Sequence, residues 1–317
     1  MRQTAALAGL LLAASALAET PQTQVALEKL PDRVRVTMGG SLFTEYVFTY
    51  KSRPYLYPIL GPGQLPMTRN WPMKELPGEE KDHPHHRSLW FAHGDVNGID
   101  FWSEAKGAGK VVHRGFDIVE AKSGVGTIKA RNDWVDRDDK LVCSEERTLR
   151  FCVSPVNPAS RIIDFEAVIL ASEQDLVFGD TKEGMMAIRL AESMRLKGIA
   201  SAGRIINSEG DRDNATWGKR AKWCDYYGPS DGKTAGVAIL DHPSNHAHPT
   251  WWHVRDYGLF AANPFGRHDF EKLADKQAGA LTVKKGSRIS FRFRFVFHQG
   301  NDVEGKIPAE YAAYAPR

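Results

Sequence analysis

The stretch ISFRFRFVF, residues 289–297, decides the fold class. Ile289, Phe291, Phe293, Phe295 and Phe297 occupy every second position, separated by Ser290, Arg292, Arg294 and Val296. Side chains alternate between the two faces of a strand, so this pattern predicts a strand with one apolar face turned to a core. The same period recurs upstream. Leu42 to Tyr50 places Leu42, Tyr46, Phe48 and Tyr50 on one side, and Arg161 to Leu170 places Ile163, Phe165, Ala167 and Ile169 on one side. Shorter runs at Arg33–Met38, Gly126–Trp134, Met185–Met194 and Gly236–Leu240 are punctuated by Gly, Asn, Asp and Pro. Helical patterns are scarce: Asp269–Ala278, with Asp269 as its N-cap, and Ala309–Tyr314 in the tail. Many strands without a βαβ alternation predict an all-β protein, a large single-domain β-sandwich over residues 19–317. Residues 51–81 hold six prolines and little periodicity, and read as a long ordered loop.

The chain has 317 residues, 42% hydrophobic and 26% charged, with a formal charge of +3. That balance excludes a disordered chain, and the small charge removes the electrostatic footprint of a nucleic-acid binder. No body segment is long and apolar enough to span a membrane. Residues 1–18, MRQTAALAGLLLAASALA, carry Arg2, an apolar run and an Ala-Leu-Ala end. They read as a signal peptide, which makes the expected location periplasmic or secreted. The three cysteines, Cys143, Cys152 and Cys224, are too few for a disulfide scaffold and form no metal motif. On one continuous strand Cys143 and Cys152 would lie roughly 30 Å apart, whereas a hairpin between them would permit one bridge.

Four polar segments are the candidate site. Residues 82–98, DHPHHRSLWFAHGDVNG, hold His83, His85, His86, Arg87, Trp90, His93, Asp95 and Asn97. Imidazoles at this density suit a divalent metal, sugar hydroxyls or acid–base chemistry. Residues 241–266 add His246, His248, Trp251, Trp252, His253, Arg255 and Asp256. Paired indoles beside polar groups offer a platform for a sugar ring, and His253 with Asp256 would form an oriented pair if their loop lets them meet. Gly179–Gly184 presents Lys182 and Glu183 on a turn before Arg189, with Glu183 the preferred general acid or base. Residues 217–228, WGKRAKWCDYYG, place Asp225 behind Trp223. For each single residue a plain structural role competes: surface histidines in a Pro-rich loop, a core tryptophan, a solvated Lys–Glu turn. The chain lacks a P-loop, H-E-x-x-H and G-x-G-x-x-G.

Together with RPYLYP at 53–58, these segments resemble one bacterial family, DUF6807, over about residues 31 to 300. The family's older label is methane oxygenase PmoA. An integral-membrane monooxygenase subunit needs several hydrophobic spans, which this chain lacks, so the label implies no activity here. By fold analogy, a large sandwich with His, Arg, Asp and Glu on one face resembles the galactose-mutarotase-type supersandwich, where a His acid and a carboxylate base act on a sugar.

Three functions are compatible with the residues. The first is an exported carbohydrate-active enzyme acting on a glycoside or modified sugar. In it His86 or His93 works against Glu183, with His253 and Asp256 as further candidates. Arg87, Arg189, Arg255, Lys182, Asp95, Asn97 and Asp225 bind the small-molecule or oligosaccharide ligand, and Trp90, Trp251 and Trp252 stack on it. The second is a metal-binding protein or metal-dependent oxidoreductase. Its ligands come from His83, His85 and His248, with His93, His246 and His253 in reserve. The sequence itself requires no cofactor. The third is a non-catalytic sugar-binding module.

Overall fold

A computed structural model describes residues 24–198 and 202–315. Residues 1–18, expected to be a signal peptide, lie outside the described residues. The strands are β1 (Val25–Lys29), β2 (Arg33–Met38), β3 (Ser41–Val47), β4 (Tyr55–Ile59), β5 (Leu89–His93), β6 (Lys110–Lys122), β7 (Val125–Val135), β8 (Leu141–Val153) and β9 (Arg161–Leu170). They continue with β10 (Leu176–Phe178), β11 (Gly184–Arg189), β12 (Arg204–Asn207), β13 (Trp223–Ser230), β14 (Lys233–Asp241), β15 (Trp251–Val254), β16 (Leu259–Asn263), β17 (Leu281–Val283) and β18 (Arg288–Gln299). Two short α-helices, α1 (Arg267–Glu271) and α2 (Ile307–Tyr314), and three 3-10 turns at Pro62–Gln64, Glu192–Met194 and Asp213–Thr216 complete the described elements. One eight-stranded sheet runs β1-β2-β3-β4-β5-β11-β16-β15; the other runs β12-β13-β14-β18-β9-β8-β7-β6; β10 and β17 form a small ribbon. All named strand pairs are antiparallel. The protein is an all-β sandwich.

The period-two reading of β18 holds from Phe291 to Phe295; beyond it Val296 and His298, on the other face, are buried as well, Val296 in a cluster with Leu240 and Ile307. Phe291, Phe293, Phe295 and Phe297 are fully buried in the core shared by both sheets, with Phe43, Phe91, Phe151, Phe165 and Phe260. On the opposite face Arg292 pairs with Glu166 at 2.8 Å and Arg294 with Asp164 at 2.7 Å, directly across the β18–β9 register. Apolar burial and cross-strand ion pairs thus select the same register. One charged group crosses into the core: Glu145 accepts from Arg147 Nε (2.5 Å), Trp134 Nε1 (2.7 Å) and Asn132 Nδ2 (3.2 Å). Its carboxylate is compensated by a cation and two neutral donors, as a buried charge requires.

Several expectations are corrected. The Pro-rich segment 51–81 contains a strand, β4, and a short 3-10 turn at Pro62–Gln64. The helix expected at Asp269–Ala278 is instead Arg267–Glu271, capped by Gly266. Asp269 lies inside it, and its carboxylate accepts the Lys182 amide at 2.9 Å. Met185–Met194 splits into β11 and a 3-10 turn at Glu192–Met194. Cys143 and Cys152 share the one strand β8, so no hairpin brings them together, and all three cysteines are free thiols. Among the described residues no helix is long and apolar enough to cross a membrane.

Candidate active site

The middle of the first sheet is covered on both faces. Phe91, Met186, Phe260 and Trp252 point into the sandwich core. Their strand neighbours point the other way and line up in register across five strands: Tyr55, Trp90, Ala187, Ala261 and His253. The alanines keep the middle of this row low, and loops fold over it. Trp102 and Tyr257 from those loops pack with Trp90, Ala187 and Ala261 in a second apolar cluster. A cleft of about 360 Å³ opens beside this cluster, lined by His83, His85, His86, Asp100, Trp102, Glu183 and Tyr257, among others.

Glu183 stands at the start of β11. Its carbonyl accepts the Gly94 amide at 2.7 Å, which ties the turn to the end of β5. Its side chain is 41% exposed, with Lys182 Nζ 3.7 Å away. Partial burial raises its pKa, against the opposing pull of Lys182. Asp100 is committed locally: Oδ1 accepts the amides of Trp102 (2.7 Å) and Ser103 (3.0 Å), and Oδ2 accepts the Ser103 hydroxyl.

His86 is set by a chain of buried charges. Arg189, fully buried, donates to His86 Nδ1 at 3.1 Å and to both Asp82 oxygens at 2.9 and 3.0 Å. Arg69, also fully buried, donates to Asp82 as well. Burial works against the Asp82 charge, yet Arg189, His83 and Arg69 hold its pKa down to about 2. A guanidinium can only donate, so His86 accepts at Nδ1 and carries its proton on Nε2. Burial, then the neighbouring His85 and Arg189, push the His86 pKa far down. His86 is therefore a neutral imidazole at the cleft wall, stacked on Trp90 at 5.2 Å, and its Nε2–H has no partner among the described residues. His85 is lowered to about 4 by burial and by Arg53. His83 stacks on Tyr257 at 5.3 Å.

His253 lies at the other end of the row. Trp217 Nε1 donates to its Nδ1 at 3.0 Å, which places the His253 proton on Nε2. Burial, with Arg255 and Lys182 nearby, lowers its pKa to about 3. Its partner is Trp217, and no His253–Asp256 contact forms; the Asp256 backbone oxygen accepts from Tyr226 and Lys197.

The other expected residues are placed elsewhere. His93 shares strand parity with Phe91, so it points into the sandwich, between Phe178 and Phe265, and donates from Nε2 to the Gly179 carbonyl at 2.9 Å. Trp90 lies beneath His86 and Trp102, 1% exposed. Trp252 is a core residue donating to Ala221 O at 3.0 Å, and Trp251 is covered by Arg220 and bonded to Glu271. Neither indole is an open platform. Arg87 is clamped by Glu104 at 2.8 and 3.0 Å over the Tyr50 ring. Asp95 and Asn97 build their own turn, bonding the amides of Gly98 and Val177. Asp225 is on the second sheet, paired with His298 Nε2 at 3.0 Å. His248 is bound to Asp241 at 2.7 Å, and His246 stacks on Phe265. Of the histidines expected as metal ligands, His83 and His85 share the cleft wall with ring centroids 5.8 Å apart, while His248 lies apart with Asp241. Among the described residues no three His, Cys, Asp or Glu side chains gather to hold an ion.

Residues 33–312 match the model of a family of unknown function, DUF6807. The chain belongs to this family. No curated protein matches the sequence. Solved structures similar to this DUF6807 chain include a galactose mutarotase related enzyme from Lactobacillus acidophilus (10% identity, TM-score 0.34) and a galactose 1-epimerase from the same species (8%, 0.39). A GalM/aldose epimerase homologue from C. elegans is also similar (8%, 0.34). Each comparison covers 88% of this chain and 99% of the other. At these scores nothing about activity follows from the likeness.

Asp82, Asp100, Trp102 and Tyr257 of the DUF6807 chain were not singled out by sequence reasoning. Asp82 begins the His-rich segment, Asp100 and Trp102 follow it in the run GIDFW, and Tyr257 follows Arg255 and Asp256. Adjacency to the polar segments was the available signal. Their convergence depends on hairpins that sequence alone does not draw.

Proposed function

We propose that this DUF6807 protein is an exported carbohydrate-active enzyme that works by acid–base chemistry on a glycoside or modified sugar. Export rests on the leader-like residues 1–18. The observation that carries the catalytic reading is that Glu183, with its raised pKa, and His86, locked neutral with a free Nε2–H, line one cleft walled by Trp102 and Tyr257.

In this reading Glu183 takes a proton from the sugar, helped by a pKa nearer neutrality than an ordinary carboxylate's. His86 donates its Nε2–H to the oxygen on which charge develops. A neutral imidazole serves here because a lowered pKa keeps it a donor of fixed tautomer rather than a cation. Tyr257 gives aromatic surface to the ring's C–H faces, and the Asp82–Arg189 pair orients His86 without touching the ligand. The experiment is a panel of glycosides, 3-keto-glycosides and free aldoses tested with wild type, Glu183→Gln and His86→Ala. At least one compound is expected to be turned over by wild type, with loss in both variants. Turnover unaffected by both substitutions would remove the assignment.

A further inference from the structure

Every other basic side chain close to the cleft has a carboxylate partner. Arg53 and Arg87 face Glu104, Arg69 and Arg189 face Asp82, and Lys182 faces Glu183. Arg255 is the exception. Among the described residues its guanidinium has no ion pair and no hydrogen bond; it lies 5.8 Å from the Trp217 ring centroid and 5.6 Å from that of Tyr257. The Arg255 backbone is nonetheless held in place. The Arg255 amide donates to Leu259 O at 2.7 Å, and its carbonyl accepts Gly258 N at 3.0 Å and the Tyr226 hydroxyl at 3.3 Å. His253, two residues earlier, touches the same Trp217 and presents an Nε2–H with no partner among the described residues. Tyr257 joins this corner to the cleft, since its ring is also a cleft wall.

The site is therefore polarised. Glu183 lines the cleft with an acceptor suited to hydroxyls, while Arg255 and His253 Nε2–H offer donors in one corner beyond Tyr257. A guanidinium presents a planar fork that matches a carboxylate with two parallel hydrogen bonds. We propose that the substrate is an acidic sugar whose carboxylate is held by Arg255 and His253. The inference rests on the sugar-cleft reading above and names its substrate class. The low His253 pKa fits it, because the imidazole then acts as a neutral donor beside a cation already present.

The test is calorimetric binding of methyl glucuronides and methyl galacturonides against the matching methyl glucosides and galactosides. Glucose 6-phosphate serves as a second anion. The proteins are wild type, Arg255→Gln and Arg255→Lys, each checked for folding by circular dichroism. Wild type is expected to bind a uronide at least tenfold tighter than its neutral counterpart. Arg255→Gln should abolish that preference and Arg255→Lys should keep part of it. Equal affinity for neutral and acidic sugars, indifferent to Arg255→Gln, would overturn this inference and leave the sugar cleft standing. A preference for the phosphate alone would overturn the carboxylate. Binding of no sugar at all would overturn the reading beneath it.

Discussion

His253→Asn tests the electrostatic description of the site through stability. The side chain is 2% exposed, and its pKa is lowered from 6.5 to about 3 by burial and the nearby Arg255 and Lys182. The unfolded chain therefore binds a proton at this residue below pH 6.5, while the folded chain does not until about pH 3. Stability must fall as pH drops through that window. At pH 5 the solution is one and a half units below the unfolded value, and at about 1.4 kcal/mol per unit the loss is about 2 kcal/mol. Asn removes the titration and keeps an oxygen that can accept from Trp217 Nε1. His93 and His86 add further losses of the same sign. His298, raised beside Asp225, and the raised carboxylates of Glu183 and Glu310 act in the opposite sense. Subtracting variant from wild type cancels those shared contributions. Urea unfolding at pH 7 and pH 5 should show wild type losing about 2 kcal/mol more than His253→Asn. Equal pH dependence of the two proteins, or a His253 ring resonance titrating near 6.5, would refute the reasoning.

Arg189→Met removes a bidentate partner of Asp82 and the donor to His86. A cost of about 2–3 kcal/mol in urea unfolding is expected, below the usual figure for a fully buried pair because Asp82 is 31% exposed, and the His86 ring shifts should lose their single-tautomer signature. Arg147→Met strands the buried Glu145 carboxylate and should cost about 3–5 kcal/mol, whereas Arg147→Met with Glu145→Gln should recover part of it in the same assay. With Cys143 and Cys152 on one strand and Cys224 buried in the core, a reducing agent should leave the Tm unchanged, and a thiol reagent should count three thiols after unfolding, with Cys143 and Cys224 unreactive before it; fewer than three would point to a bridge.

The parts of the fold that were legible are those with one wet face. Strands β18 and β9 alternate because their outer residues meet solvent as ion pairs, so period two survives in the sequence. The strands beneath the site hide. Leu89–His93 and Gly184–Arg189 are buried throughout, because loops cover the outer face as the core covers the inner one. A strand dry on both sides shows no alternation. For the same reason Trp251 and Trp252 suggested an exposed platform, although a strand sends them to opposite faces and both faces are covered. The His-rich segment supplies His83, His85 and His86 to the cleft. Strand parity then separates His86 and His85, at the cleft, from His93, which shares the core side of Phe91. The role of Asp82 was illegible, because Arg69 and Arg189 reach it from 13 and 107 residues away.

The most direct measurement is the kinetic comparison of wild type and Glu183→Gln on one sugar that wild type turns over, with kcat, KM and a pH profile. A proton-transfer role predicts a fall in kcat of about 10²–10⁴ with KM little changed. It also predicts an acid limb in wild type above the ordinary carboxylate value of 4.5, in the direction of the Glu183 shift, and absent from the variant. A variant that retains kcat within twofold, or one that loses affinity alone, would contradict the account.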